Sequence, residues 1–242
     1  MSNSLEIKKH WNKIGNKYQN FWHSKAQKKM SEWETDFIKE LISKKQPINI
    51  LDLGIGNGRI VEAITEKSND NASIYGIDIS SEMVDYCKVK FSGNKKIKKL
   101  SILENNENLD IYHKKFDLIT SIRVVKYNEN WEQILIQLFG LLNKDGIILF
   151  SMTNKCAITR FLKTNITYIR VCPSYVKKMA YKNNMKIIKI RGFSRIPDYF
   201  YNINNNFISG LIIFGEKILE VIFGKYFLCR EVFYILKKNN QE

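Results

Sequence analysis

The run Ile48-Asn49-Ile50-Leu51-Asp52-Leu53 passes directly into Gly54-Ile55-Gly56-Asn57-Gly58. A short apolar run bounded by turn residues reads as a buried strand. Glycines at alternate positions let the backbone leave that strand through conformations other residues resist, and let another group approach with no Cβ in the way. Helical spacing resumes at Ile60, Val61 and Ile64, so the turn feeds a helix whose free N–H groups face the same space.

The same strand-then-helix unit recurs. Ser73 to Ile77 reads as a strand ending at Asp78, with Ser81 as a cap for a helix from Glu82 to Lys90. A weaker strand follows near Lys99 to Leu103, then a strong one from Phe116 to Ile122. A helix spans Trp131 to Leu142, stopped by the turn Asn143-Lys144-Asp145-Gly146 before a strand from Ile147 to Met152. This alternation implies a parallel sheet with helices on both faces, and ligands in such sheets sit at the carboxyl ends of the strands. Before it, Ser4 to Lys45 reads as two helices: Trp11, Ile14, Tyr18 and Trp22 share one face, Trp33, Phe37, Leu41 and Ile42 another, and Pro47 breaks the second. After it, a helix starts at Pro173 and runs to about Asn184. Met185 to Ile190 reads as a strand, Phe207 to Phe223 as a helix, and Glu231 to Leu236 as the last strand.

Spacing limits what the glycine turn can hold. A dinucleotide fingerprint needs a third glycine where this chain has Arg59 or Val61, and a phosphate P-loop needs a Gly-Lys-Ser/Thr that does not follow. Asp78 closes the next strand, where a carboxylate can accept hydrogen bonds from two ribose hydroxyls. The turn and the carboxylate together point to a ligand that carries a ribose.

With these residues in place, the chain resembles the class I S-adenosylmethionine-dependent methyltransferases of the small-molecule group. The matching stretches are ILDLGIGNGR (50–59), YGIDISSEMVDYCK (75–88), FDLITSIRVV (116–125) and LLNKDGIILFSM (141–152). The resemblance implies an α/β fold: a Rossmann-like, doubly wound, seven-stranded, mostly parallel sheet with an antiparallel last strand and an N-terminal helical lid. It implies an N-terminal cap over residues 1–46, a cofactor-binding core over 47–152, and a C-terminal part, 153–242, that completes the sheet and binds the acceptor. It also implies S-adenosylmethionine as cofactor, with S-adenosylhomocysteine as product. The contacts it carries over are Asp52, Gly54, Gly56 and Gly58 around the methionine part, Asp78 on the ribose, and Ile79 and Met83 around the adenine. Asn105 stands where the family often has an aspartate on the adenine amino group, and an asparagine oxygen can still accept there. Ser121, near the end of the fourth strand, and Tyr18, in the lid, are further cofactor contacts that the resemblance implies.

A sulfonium methyl is already activated, so the protein mainly has to bring the nucleophile into line. No residue stands out as a catalytic base: His113 falls at the wrong end of the fourth strand, and His10 and His23 reach the site only if the N-terminal helices close over it. Arg123 and Tyr127 are candidates for the acceptor pocket, competing with ordinary packing. No proline lies between Pro47 and Pro173, so the Pro-Pro-aromatic motif of nucleobase and glutamine methyltransferases is absent.

Charge and cysteine usage bear on partners. The net charge is +15: residues 151–242 carry 16 Lys/Arg against 5 Asp/Glu, while residues 51–150 carry 13 against 14. A basic C-terminal third suits an anionic small-molecule acceptor and leaves open a peripheral membrane contact, for which the apolar helix from Phe207 to Phe223 is the candidate. Nucleic acid is disfavoured, because no RNA-binding module is recognisable; an RNA methyltransferase and a non-catalytic partner subunit remain the alternatives. Monomer and homodimer both stay open. Cys87, Cys156, Cys172 and Cys229 are scattered, with no metal-site spacing and no redox pair, and no apolar leader is visible, which points to the cytoplasm.

Overall fold

In a computed structural model, which describes residues 8–13, 22–103, 115–161 and 168–239, the seven expected strands and a short eighth assemble into one sheet. They are β1 (Asn49–Leu53), β2 (Ser73–Asp78), β3 (Ile97–Ile102), β4 (Phe116–Ser121), β5 (Leu142–Asn154), β6 (Arg170–Val171), β7 (Met185–Phe193) and β8 (Glu231–Lys238). The order is β3-β2-β1-β4-β5-β8-β7, with the two-residue β6 paired parallel to the end of β5. β8 runs antiparallel to both neighbours, Thr153 pairing with Glu231 on one side and Phe193 with Glu231 on the other. The seven-stranded sheet with its antiparallel last strand is therefore present, with β6 as a short addition.

Helices cover both faces. They are α1 (Lys25–Lys45), α2 (Arg59–Lys67), α3 (Ser81–Lys90), α4 (Trp131–Gly140), α5 (Pro173–Lys182), α6 (Asp198–Tyr201) and α7 (Asn206–Phe223). One core holds α4 and α5 against Leu51, Ile148, Phe150 and Tyr234; the other holds α1, α2, α3 and Ile212 of α7 against Ile50, Leu118, Leu149 and Phe233. The strands in the middle bury both faces, which is why they read as continuous apolar runs rather than alternating ones.

Local sequence sets the helix ends. Ser24 caps α1 through a reciprocal pair with Gln27, the Ser24 Oγ accepting from the Gln27 amide at 3.1 Å and the Gln27 side chain accepting from the Ser24 amide at 3.3 Å. Pro47 follows the left-handed Gln46 that ends α1. α3 is capped by Ser80, one residue before the expected Ser81: its Oγ accepts from the Met83 amide at 3.4 Å. A second difference concerns α4, which stops at Gly140, so that Asn143-Lys144-Asp145-Gly146 belongs to β5 rather than to a free turn. Phe116 pairs with Leu142 across a register shift, and a Cβ at Gly146 would lie 2.6 Å from the Phe116 carbonyl oxygen; sheet pairing there overrides turn chemistry. Residues 8–13 are helical. Among the described residues no helix is long and apolar enough to cross a membrane.

Candidate active site

β1 lies between β2 and β4, so the chain order reverses at its carboxyl end. That is the position where open α/β sheets form their ligand crevice. The turn leaving β1 is pinned at once: the amides of Gly54 and Ile55 both donate to the Ile77 carbonyl, at 2.7 and 3.1 Å. Gly54, Gly56 and Gly58 all have positive φ, at 80°, 49° and 79°. The sequence suggested that the glycines also make room for a ligand. At Gly54 the room is taken by the protein, since a Cβ there would lie 2.1 Å from Cγ2 of Val124, and at Gly58 it would lie 2.6 Å from the Phe91 ring. These two glycines serve the turn and its packing.

Asp78 ends β2 directly across from the turn. Its Oδ2 accepts the Gly56 amide at 2.9 Å and its Oδ1 the Ser80 amide at 2.9 Å. Burial pushes this carboxyl above its usual range, against the pull of the amides. Asp52, near the end of β1, is fully enclosed and accepts from the Thr120 hydroxyl at 2.6 Å. Burial raises it to about 7, opposed by the Thr120 hydrogen bond and reinforced by the nearby Asp78. Its second oxygen, Oδ2, has no hydrogen-bond partner among the described residues, nor has Oγ of Ser121 at the end of β4. Ile79 is half-buried and Met83 buried. Tyr18, Asn105 and His113 lie outside the described residues. Of the other histidines, His23 is exposed, and His10 is half-buried with its ring against Trp11.

Two charge clusters beside the turn escaped the sequence. Glu34 of α1, fully buried, takes Arg59 Nη1 at 3.1 Å and also pairs with Arg123 Nη2. The two guanidinium carbons stand 4.7 and 4.8 Å from the Trp22 ring centroid. Arg123, just beyond β4, has a φ of 61°, and its amide donates to Ser151 Oγ at 2.8 Å. Ser151 in turn donates to Glu231 at 2.6 Å, and Glu231 receives Lys126 Nζ at 2.8 Å. Burial alone would raise Glu231, but Lys126 and Arg123 outweigh it and hold the carboxyl at about 2. Tyr127 packs its ring edge-on against Trp11, 5.4 Å between centroids, so the helical stretch 8–13 rests on the turn that follows β4. Arg123 and Tyr127 are thus brought to the carboxyl edge as expected, but each already has a partner within the protein.

The cysteines differ from expectation as well. All four are free thiols, yet Sγ of Cys156 and Sγ of Cys172 lie 3.5 Å apart, because β6 carries Cys172 back beside the end of β5. Among the described residues no cluster of His, Cys, Asp and Glu could hold a metal ion.

Known proteins share this fold. Residues 44–204 match the family described as a methyltransferase domain. A malonyl-[acyl-carrier protein] O-methyltransferase of Bacillus cereus is 28% identical over 152 residues, 62% of this chain and 54% of the relative, so the match spans about half that protein's length. A ubiquinone biosynthesis O-methyltransferase of Pelagibacter ubique is 25% identical over 179 residues, 66% of this chain and 70% of the relative. Among solved structures, magnesium protoporphyrin IX methyltransferase from Synechocystis with bound S-adenosylmethionine superposes with a TM-score of 0.66 at 12% identity, covering 98% of each chain. An S-adenosylmethionine-dependent methyltransferase from Clostridium acetobutylicum gives 0.63 at 15%, covering 95% of this chain and 99% of that one. The structural likenesses carry the fold, the family match carries two thirds of the sequence, and this chain belongs to the methyltransferase-domain family.

Proposed function

We propose that this protein transfers a methyl group from S-adenosylmethionine to a small-molecule acceptor, by O- or N-methylation, in the cytoplasm. The observation that carries the reading is the meeting of the glycine turn with Asp78, through the Gly56 amide, at the switch point of the sheet. The residues there fit the cofactor chemically. A carboxylate offers about four lone-pair directions, so Asp78 keeps capacity for ribose hydroxyls beside its amide donors. Asp52 Oδ2 and Ser121 Oγ are enclosed acceptors without partners among the described residues, suited to an ammonium group. Ile79 and Met83 offer apolar surface for a purine. Gly54, Gly56 and Gly58 shape the turn beside the methionine part, and Tyr18 and Asn105 complete the proposed contacts.

When bound, the cofactor supplies a methyl group on a sulfonium centre whose leaving group is neutral. The work of this chain is then to bind, to align and to keep water out. We assign residues 1–46 as the cap, 47–152 as the cofactor core and 153–242 as the part that completes the sheet and faces the acceptor. The +11 charge of residues 151–242 favours an acceptor bearing a carboxylate or phosphate, and sugar- or lipid-linked acceptors stay open.

Calorimetric titration with S-adenosylhomocysteine tests the reading. Binding is expected, with an affinity loss of at least about tenfold in Gly56→Arg and in Asp78→Ala. No heat at millimolar ligand, or unchanged affinity in both variants with their circular dichroism intact, overturns it.

A further inference from the structure

α7 packs one side onto the protein and leaves an apolar side uncovered. The inner side carries Ile212, Ser209 and Glu216, all buried; the Glu216 carboxylate is bound by the amides of Arg195 and Ile196, at 2.6 and 2.7 Å, and by the Tyr201 hydroxyl. The outer side carries Phe207, Leu211, Phe214, Ile218, Val221 and Ile222, whose spacing of three, four and seven puts them on one stripe. Their exposures run from 42% at Ile218 to 85% at Val221. Just past the helix, Phe227 adds a further aromatic ring, 54% exposed. A continuous apolar stripe of this kind on a folded surface marks an interaction site.

The charges around the stripe select its partner. Neither carboxylate of α7 faces outward, since Glu216 is enclosed and Glu220 pairs with Arg191 at 2.8 Å. The exposed charges beside the stripe are Lys217 on the helix and Lys225 just after it. A second copy docked about a twofold axis would meet the same lysines with no carboxylate on the stripe to receive them. Anionic lipid headgroups supply the missing sign, and the acyl boundary below them accepts the aromatic and aliphatic side chains. The helix has 18 residues, about 27 Å, and does not qualify as a membrane span, which suits a helix lying in the interface plane.

We propose that the outer stripe of α7 docks this protein onto an anionic lipid bilayer. Topology adds a consequence. β7 ends and β8 begins at a shared pairing, Phe193 with Glu231, and Glu231 also pairs with Thr153 near the carboxyl end of β5. The segment containing α7 is therefore tethered at both ends to the sheet edge that carries the glycine turn, so docking would hold that edge beside the lipid surface. The proposal does not depend on methyl transfer.

The test is co-sedimentation of the full chain with phosphatidylglycerol-containing vesicles and with pure phosphatidylcholine vesicles. Binding to the anionic vesicles is expected, weakened at least about tenfold in the double variant Phe214→Ser/Val221→Ser, whose two sites are exposed and leave the fold intact by circular dichroism. Lys217→Glu is expected to weaken it as well. Absence of binding, equal binding to the uncharged vesicles, or equal binding by the double variant overturns the proposal. So does a dimer in light scattering that the double variant converts to monomer, which would make the stripe a self-interface.

Discussion

The Gly56 amide donates its hydrogen to Asp78 Oδ2 at 2.9 Å, closing a loop of 22 residues. The two motifs that implied a cofactor therefore also hold each other. Asp78→Ala removes the acceptor of both Gly56 and Ser80 amides and is expected to cost about 2 kcal/mol or more in denaturant unfolding. Asp78→Asn keeps one acceptor oxygen and should cost less, while both variants lose ligand affinity. A stability cost in Asp78→Ala no larger than in Asp78→Asn would contradict this account.

Asp52 makes stability depend on pH. Its folded value of about 7 lies above the ordinary 3.8 because burial disfavours its charge. Between these values the folded chain keeps a proton that the unfolded chain has released, so this group's contribution is full below 3.8 and is lost as pH rises through 7. Asp52→Asn should remove that loss, and its melting temperature should exceed the wild type's at pH 8 but not at pH 4. A cationic ligand beside Asp52 should draw off the proton, so calorimetry in buffers of different ionisation heat should show proton release on binding.

Glu231 has the opposite sign. Its folded value of about 2 lies below the ordinary 4.5, so its stabilisation is present above 4.5 and is lost as pH falls toward 2. Glu231→Gln strands the buried Lys126 ammonium and is expected to cost about 3–5 kcal/mol. The double variant Glu231→Gln/Lys126→Met should recover most of this, because it removes the charge that was stranded. Additive losses in the double variant would show that the pair is not the unit.

Glu34 ties three separate pieces of chain together. Glu34→Ala removes the carboxylate that Arg59 and Arg123 share beside Trp22 and is expected to cost about 3–5 kcal/mol. Chymotrypsin should then cut at Trp22 faster than in the wild type. Equal cleavage rates would mean that the ring is held by other contacts.

The order of strands and helices was legible because each element carries its own periodicity. β1 and β4 are plain apolar runs, and Pro47 and Pro173 mark helix boundaries by backbone chemistry alone. The placement of Asp78 beside the turn was legible because it follows from one strand and one turn. The Glu34–Arg59–Arg123 cluster was not, since its members lie 25 and 89 residues apart and meet only once α1 has packed over the sheet. Lys126 and Glu231, separated by 105 residues, likewise read as ordinary surface charges until β8 is placed next to β5. The closeness of Cys156 and Cys172 depends on β6, whose two residues are too few to show any period. Cap and strand boundaries slipped by a residue or more at Ser80 and at Leu142, where neighbouring hydroxyls or sheet pairing compete with the local signal.

The antiparallel strand β8 sits inside the sheet, between β5 and β7, although the ribosome makes it after both. Until β8 is made, β5 and β7 each lack the neighbour that covers one edge. The fully buried Phe233 and Ile235, which complete one core, and Glu231, which neutralises Lys126, arrive together on that one strand. Closure of the sheet and neutralisation of its buried cation thus both await one strand that the chain order places after its two neighbours.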